Sequence, residues 1–206
     1  MATKRYTFPD NKLPYGWTAT RYSFGGQNDG VWTRDIKNNK IYWHPTSSGT
    51  ETGYFGEWLS VPVNAIGDIN VEATVRGRAT GGAPNGFIGV GINQSAVSRV
   101  KYGTQLNFPG AISVAMYGTN NIVFTPWPGR PGQSTVSGLG ADYISNMRVV
   151  RKNGYLFLYS NSFYLGQYAY APAITRVDIY STWQTGQLLE DHWLQDLAIT
   201  PSSVVL

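Results

Sequence analysis

Apolar and polar residues alternate with period two along this chain wherever the pattern is clear, and no stretch carries a sustained helical repeat. Ile69, Val71, Ala73 and Val75 point one way while Asn70, Glu72, Thr74 and Arg76 point the other, which predicts a strand with one buried and one wet face. After the turn residues Pro84, Asn85 and Gly86, the apolar Ile88, Val90 and Ile92 alternate with Gly89 and Gly91. One face of that strand is therefore almost without side chains and leaves room for something to approach the backbone. Met147, Val149 and Arg151 precede Asn153-Gly154, after which Tyr155, Phe157 and Tyr159 resume the alternation. Asn-Gly between two such runs predicts a hairpin closed by a type I′ turn. Further strands are predicted around Lys40 to Trp43, Gly56 to Val61, Ile112 to Tyr117, Asn121 to Phe124, Tyr164 to Tyr168, Arg176 to Tyr180 and Trp193 to Ile199. Leu188 to Leu194 allows one helical turn at most. The segment Thr125 to Gly132 is excluded as a central strand, because its prolines remove ladder donors; it reads as a rigid loop presenting Trp127.

Many short strands with Gly, Pro and Asn between them imply a sandwich or barrel, and 206 residues fit one such domain, 1–206, with no linker or internal repeat. Composition agrees. Charged residues are only 14% against about a quarter in an ordinary globular protein, while aromatics reach 14% and Gly numbers 24, a mixture suited to pleated surfaces and tight turns. The formal net charge of +4 comes from scattered cations, not the clustered face that nucleic acid requires. With no Cys, disulfides and thiolate metal sites are excluded. No segment approaches the roughly twenty apolar residues of a membrane span, and residues 1–10 lack the apolar core of a signal peptide. The expectation is cytoplasmic synthesis without targeting.

The opening Tyr6-Thr7-Phe8-Pro9-Asp10, followed by Leu13-Pro14-Tyr15-Gly16-Trp17, resembles the first strand and turn of concanavalin A-like jelly rolls. Glu57-Trp58-Leu59-Ser60 followed by Ile69 to Arg76 is similar to their edge-to-sheet passage, and Met147 to Tyr159 to their central hairpin. Asp191 to Ile199 resembles the closing strand that returns beside the first. The resemblance to this lectin and glucanase superfamily, which includes LamG-like jelly rolls, spans nearly the whole chain. It implies an all-β, two-sheet antiparallel jelly-roll sandwich. On function it implies less, because the fold hosts lectins, carbohydrate-binding modules, glycosidases, lyases and structural domains of virions or adhesins.

Sugar recognition needs flat rings for the C–H faces of pyranoses and polar groups around their rim. Trp32, Trp43, Tyr102 and Trp127 lie in or beside turn-rich segments, and Asn93, Arg99, Gln105 and Asn107 occupy the irregular stretch between two predicted strands. These eight are the candidate ligand-binding residues. Trp17, Trp58 and Trp193 read as core. A glycosidase needs two carboxyls at a set separation. The E-x-D-x-x-E arrangement of the glucanase branch is absent, which leaves Glu57 with Glu72, from separate strands, as weak catalytic candidates; Glu72 also reads as a residue of a solvated face. Glu190-Asp191-His192 reads as a turn before a final strand. Two histidines and no Cys argue against a transition-metal site, and no cofactor is expected. Calcium stays open, since Asn28, Asp29 and Asp35 offer oxygens without EF-hand spacing.

The leading reading is a non-catalytic, lectin-like carbohydrate-binding domain. A second is a structural or host-attachment protein of a virus or surface filament, with a homo-oligomer or virion as its assembly; a third is a glycoside hydrolase or polysaccharide lyase.

Overall fold

The computed structural model describes residues 3–9, 11–24, 30–48, 54–65, 67–77, 86–93, 113–117, 120–124, 144–170, 172–184 and 191–202. Fourteen strands are found among them: β1 (Lys4–Tyr6), β2 (Thr18–Phe24), β3 (Gly30–Lys37), β4 (Lys40–Ser48), β5 (Tyr54–Ala65), β6 (Asp68–Arg76), β7 (Gly86–Ile92), β8 (Ser113–Tyr117), β9 (Asn120–Phe124), β10 (Ile144–Lys152), β11 (Tyr155–Ser160), β12 (Phe163–Ala169), β13 (Ile174–Gln184) and β14 (His192–Ser202). They form two antiparallel sheets. The eight-stranded sheet runs β12-β11-β10-β6-β14-β4-β3, with β1 added against β14; the six-stranded sheet runs β2-β5-β13-β7-β8-β9. This is the all-β jelly-roll sandwich that the sequence implied.

The predicted alternation sets the layers. In β6, Ile69, Val71, Ala73 and Val75 are buried between the sheets, and the intervening residues are half-exposed. On the facing sheet Ile88, Val90 and Ile92 of β7 and Val177 and Ile179 of β13 complete the core. The hairpin β10–β11 pairs Lys152 with Tyr155 across Asn153 (φ 52°) and Gly154 (φ 77°), the two positive values that a type I′ turn demands. A second such turn joins β3 to β4 through Asn38 (φ 53°) and Asn39 (φ 57°). The last strand divides its partners: His192 to Leu194 lie along β4, while Leu197 to Ile199 lie along β1, so the closing strand does return beside the first.

Polar side chains also cross the core. Glu57 of the six-stranded sheet accepts hydrogen bonds from Arg34 Nη1 (2.7 Å) and Trp43 Nε1 (2.8 Å) of the eight-stranded sheet. Next to it on the same sheet Ser181, the cross-strand partner of Glu57, bonds His192 Nδ1 at 2.8 Å, and the His192 ring stacks on Trp183. Burial lowers the His192 pKa from its ordinary 6.5 to about 3, so the ring is neutral. Such buried bridges fix the relative register of two sheets that apolar contacts alone would leave free to slide.

Candidate functional site

At the centre of the six-stranded sheet, β5 and β13 carry buried residues on both faces. Phe55, Leu59 and Val61 of β5 and Val177, Ile179 and Trp183 of β13 point into the core, so the residues between them point away from it. Those outward residues include Trp58, Asp178, Tyr180 and Thr182, all buried, and no third layer of strands lies over them among the described residues. Register places them in rows. Across the sheet one row reads Thr18, Ser60, Asp178, Gly91, Ser113; the next reads Thr20, Trp58, Tyr180, Gly89, Ala115. The glycines foreseen as an open strand face are thus set beside an aromatic pair and a carboxylate, with small residues beyond them on β8. Asp178, 0% exposed, accepts hydrogen bonds from Ser60 Oγ and from Arg176 Nε (3.1 Å), whose side chain is 35% exposed. Hydroxyl, carboxylate and guanidinium groups are held in line next to two buried rings; Arg176 is the member that reaches solvent and can hydrogen-bond a polyhydroxylated ligand, whereas Trp58 and Tyr180 are too enclosed to stack on one.

Few of the residues singled out from sequence meet here. Trp43 has no exposed surface and gives its N–H to Glu57, so its ring cannot serve as a platform. Trp32 is also buried, tilted against Phe55 and Trp183, with the Arg21 guanidinium over it at 4.8 Å. Asn93 is a staple. Its amide donates to Tyr170 Oη (2.8 Å) and Ala173 O (2.6 Å) and accepts from the Thr175 and Arg176 backbone, so its polar atoms are engaged in fixing the start of β13. Arg99, Tyr102, Gln105, Asn107 and Trp127 lie outside the described residues, in the connections from β7 to β8 and from β9 to β10. Trp17 does join the core cluster; Trp58 and Trp193 are buried but turned away from it, because each sits on the outward parity of its strand.

The proposed carboxylate pair does not form. Glu57 points into the core from the six-stranded sheet, whereas Glu72 points outward from the eight-stranded one, so a packed layer separates them. Glu72 meets Asn70 and Arg148 instead. For calcium, Asn28 and Asp29 are outside the described residues, and Asp35 faces Lys37 and His44. Among the described residues no group of three or more His, Cys, Asp or Glu is arranged to hold a metal ion.

No protein-family model matches the sequence, and no curated protein sequence is significantly similar to it. Solved structures are similar in fold. The CBM2 module of the evolved Dit of Lactobacillus casei BL23 phage J-1 superposes with a TM-score of 0.65 at 11% identity, covering 99% of this chain and 98% of that one. The potassium-bound carbohydrate recognition domain of Emp46p gives 0.63 at 12% identity, covering 97% and 98%. The exoplasmic/lumenal domain of VIP36, solved with Ca²⁺ and Man3GlcNAc, gives 0.54 at 12% identity, covering 86% and 84%. This chain has the lectin jelly-roll fold. At such identities the likeness carries architecture, and the ligand must be argued from side chains.

Proposed function

We propose that this chain is a lectin-like domain that binds a glycan on the outward face of its six-stranded sheet. The observation that carries the reading is the row Ser60–Asp178–Gly91 beside Trp58–Tyr180–Gly89. Asp178 is a buried carboxylate held by Ser60 and by Arg176, whose part-exposed guanidinium carries the row to the surface, where a ligand can reach it. A sugar, whose hydroxyls want paired donors and acceptors, suits such a guanidinium–carboxylate–hydroxyl row, and the buried Trp58 and Tyr180 back it from the next row. Similarity in fold to carbohydrate recognition domains supports the same reading. The candidates Arg99, Tyr102, Gln105, Asn107 and Trp127, which follow β7 and β9 in the sequence, belong to this proposal as ligand-binding residues.

A glycan array followed by affinity electrophoresis in polysaccharide gels tests it. Wild type is expected to bind at least one glycan, and Arg176→Ala and Trp127→Ala each to lose about tenfold in affinity. Binding by no glycan at all would sink the proposal. A role in a virus particle is favoured by one observation, the similarity to a phage Dit module over almost the full length of both chains. That role is compatible with glycan binding; electron microscopy of particles labelled with an antibody to this chain would test it.

A further inference from the structure

The hairpin β10–β11 is turned opposite to what its composition suggests. In β11 the smaller Leu156 and Leu158 are buried and the rings of Tyr155, Phe157 and Tyr159 face outward, Tyr155 being 44% exposed. A bulge between β11 and β12 then brings Tyr164, 56% exposed, opposite Tyr159, with ring centroids 5.6 Å apart. Cross-strand neighbours extend the row inward along the sheet from Tyr164 and Tyr159 to Arg148 and Glu72. Arg148 lies over the Tyr159 ring, its Cζ 5.4 Å from the centroid, and donates from Nε to Asn70 Oδ1 at 2.9 Å; Asn70 Nδ2 in turn donates to Glu72 Oε1 at 2.8 Å. Rings that could have filled the core are exposed, and the polar groups beside them are already held in position.

We propose that this outer face of the eight-stranded sheet is a second carbohydrate-binding platform, specific for an extended neutral polysaccharide, so that one chain grips glycan on both sides. The proposal rests on the glycan-binding reading of the opposite sheet. Neutrality follows from the ring row itself: Arg148, the cation over the Tyr159 ring, is offset by Glu72 at 3.6 Å, so that row presents rings, a paired charge and dipoles. Extension follows from the strand: Tyr155, Phe157 and Tyr159 sit at alternate positions, about 14 Å from first to last, longer than a single sugar ring needs. A protein partner fits less well. Glu72 and Arg148 are 40% and 36% exposed in the middle of the patch, and the centres of protein interfaces are depleted of such charges.

The test compares three proteins by titration calorimetry against a panel of neutral polysaccharides (glucans, xylan, galactan, mannan) and their trimers. The proteins are wild type, Tyr159→Ala/Tyr164→Ala and Arg176→Ala. Wild type should bind polymer at two sites per chain and precipitate it. The double tyrosine variant should keep trimer binding, lose precipitation and weaken about tenfold or more for polymer; Arg176→Ala should do the reverse. Arg148→Lys, which keeps the charge and loses the stacked plane, should show a milder form of the tyrosine effect. Raising NaCl from 0.15 to 0.5 M should leave the platform's affinity within twofold. Unchanged stoichiometry and precipitation in the tyrosine variant would overturn the platform while leaving the first site intact, as would a marked salt dependence. A variant that alters only self-association in sedimentation would reassign the face to contact with a second copy. Failure of wild type to bind any glycan would instead remove both readings.

Discussion

His192 is the residue whose removal from water makes the sharpest prediction. It is wholly enclosed, bonded through Nδ1 to Ser181 and stacked on Trp183 at 5.0 Å, and burial holds its pKa at about 3 against 6.5 in an open chain. The unfolded chain therefore takes up a proton near pH 6.5 that the folded protein refuses, and the folded state loses stability as pH falls from 6.5 toward 3. Stability from this group is fully present above pH 6.5. Between pH 7 and pH 5 the linkage amounts to about 2 kcal/mol, since the unfolded ring becomes almost fully protonated while the native one does not. Carboxylates titrate mostly below that window. Urea denaturation at the two pH values measures the effect, expected as a drop in midpoint of roughly 1 M for a slope near 2 kcal/mol/M. His192→Gln should be less stable at pH 7, having lost the stacked ring, yet nearly flat between pH 7 and 5. Equal pH sensitivity in both proteins, or a wild-type loss below about 0.5 kcal/mol, would show that the buried ring is not the responsible group.

Other substitutions probe the frame. A Cβ on Gly56 would stand 2.1 Å from the Ser181 carbonyl oxygen, so Gly56→Ala should part β5 from β13 and cost about 3 kcal/mol or more, read as a collapse of the thermal midpoint or as insoluble expression. Asn153→Ala removes the short polar side chain that makes φ 52° tolerable for a residue with a β-carbon and should cost about 1 kcal/mol by urea denaturation, with Asn153→Gly recovering most of it. Glu57→Gln leaves Arg34 facing a neutral amide across the core and should cost about 2 kcal/mol while leaving glycan affinity within twofold; a selective loss of binding or of any sugar-releasing activity would return Glu57 to the functional residues.

The strands that period two revealed were those with one dry and one wet face, and β6 is the clearest case, its alternation reproduced residue by residue in burial. Strands β2 and β3 were not foreseen. Thr18–Phe24 and Gly30–Lys37 carry Arg, Thr and Asp among their aromatics, and the inward residue Arg34 is polar because it meets Glu57 on the opposite sheet, a pairing no local pattern encodes. Asn38-Asn39 makes the same turn as Asn153-Gly154, but without a glycine the dipeptide is a weaker signal. For sites, sequence position misled in a specific way. Trp32 and Trp43 stand near turns and are nevertheless interior, while Tyr180 and Asp178 lie in a run that reads as ordinary strand and face away from the core. What could have found them was the glycine alternation of β7, since a strand face without side chains implies a neighbour whose side chains have somewhere to go.

Two populations of buried polar groups separate once their faces are known. Glu57 with Arg34 and Trp43, and Ser181 with His192, each join one sheet to the other, and their desolvation is offset by fixing how the layers sit. Asp178, Ser60 and Arg176 all belong to the six-stranded sheet and bond one another on its outward side. An apolar trio there would be at least as stable, because a paired buried charge seldom outperforms well-packed hydrocarbon. Under the proposed function, a ligand that hydrogen-bonds the part-exposed guanidinium of Arg176 is a reason to keep the trio, and Arg176→Ala is the substitution that tests it.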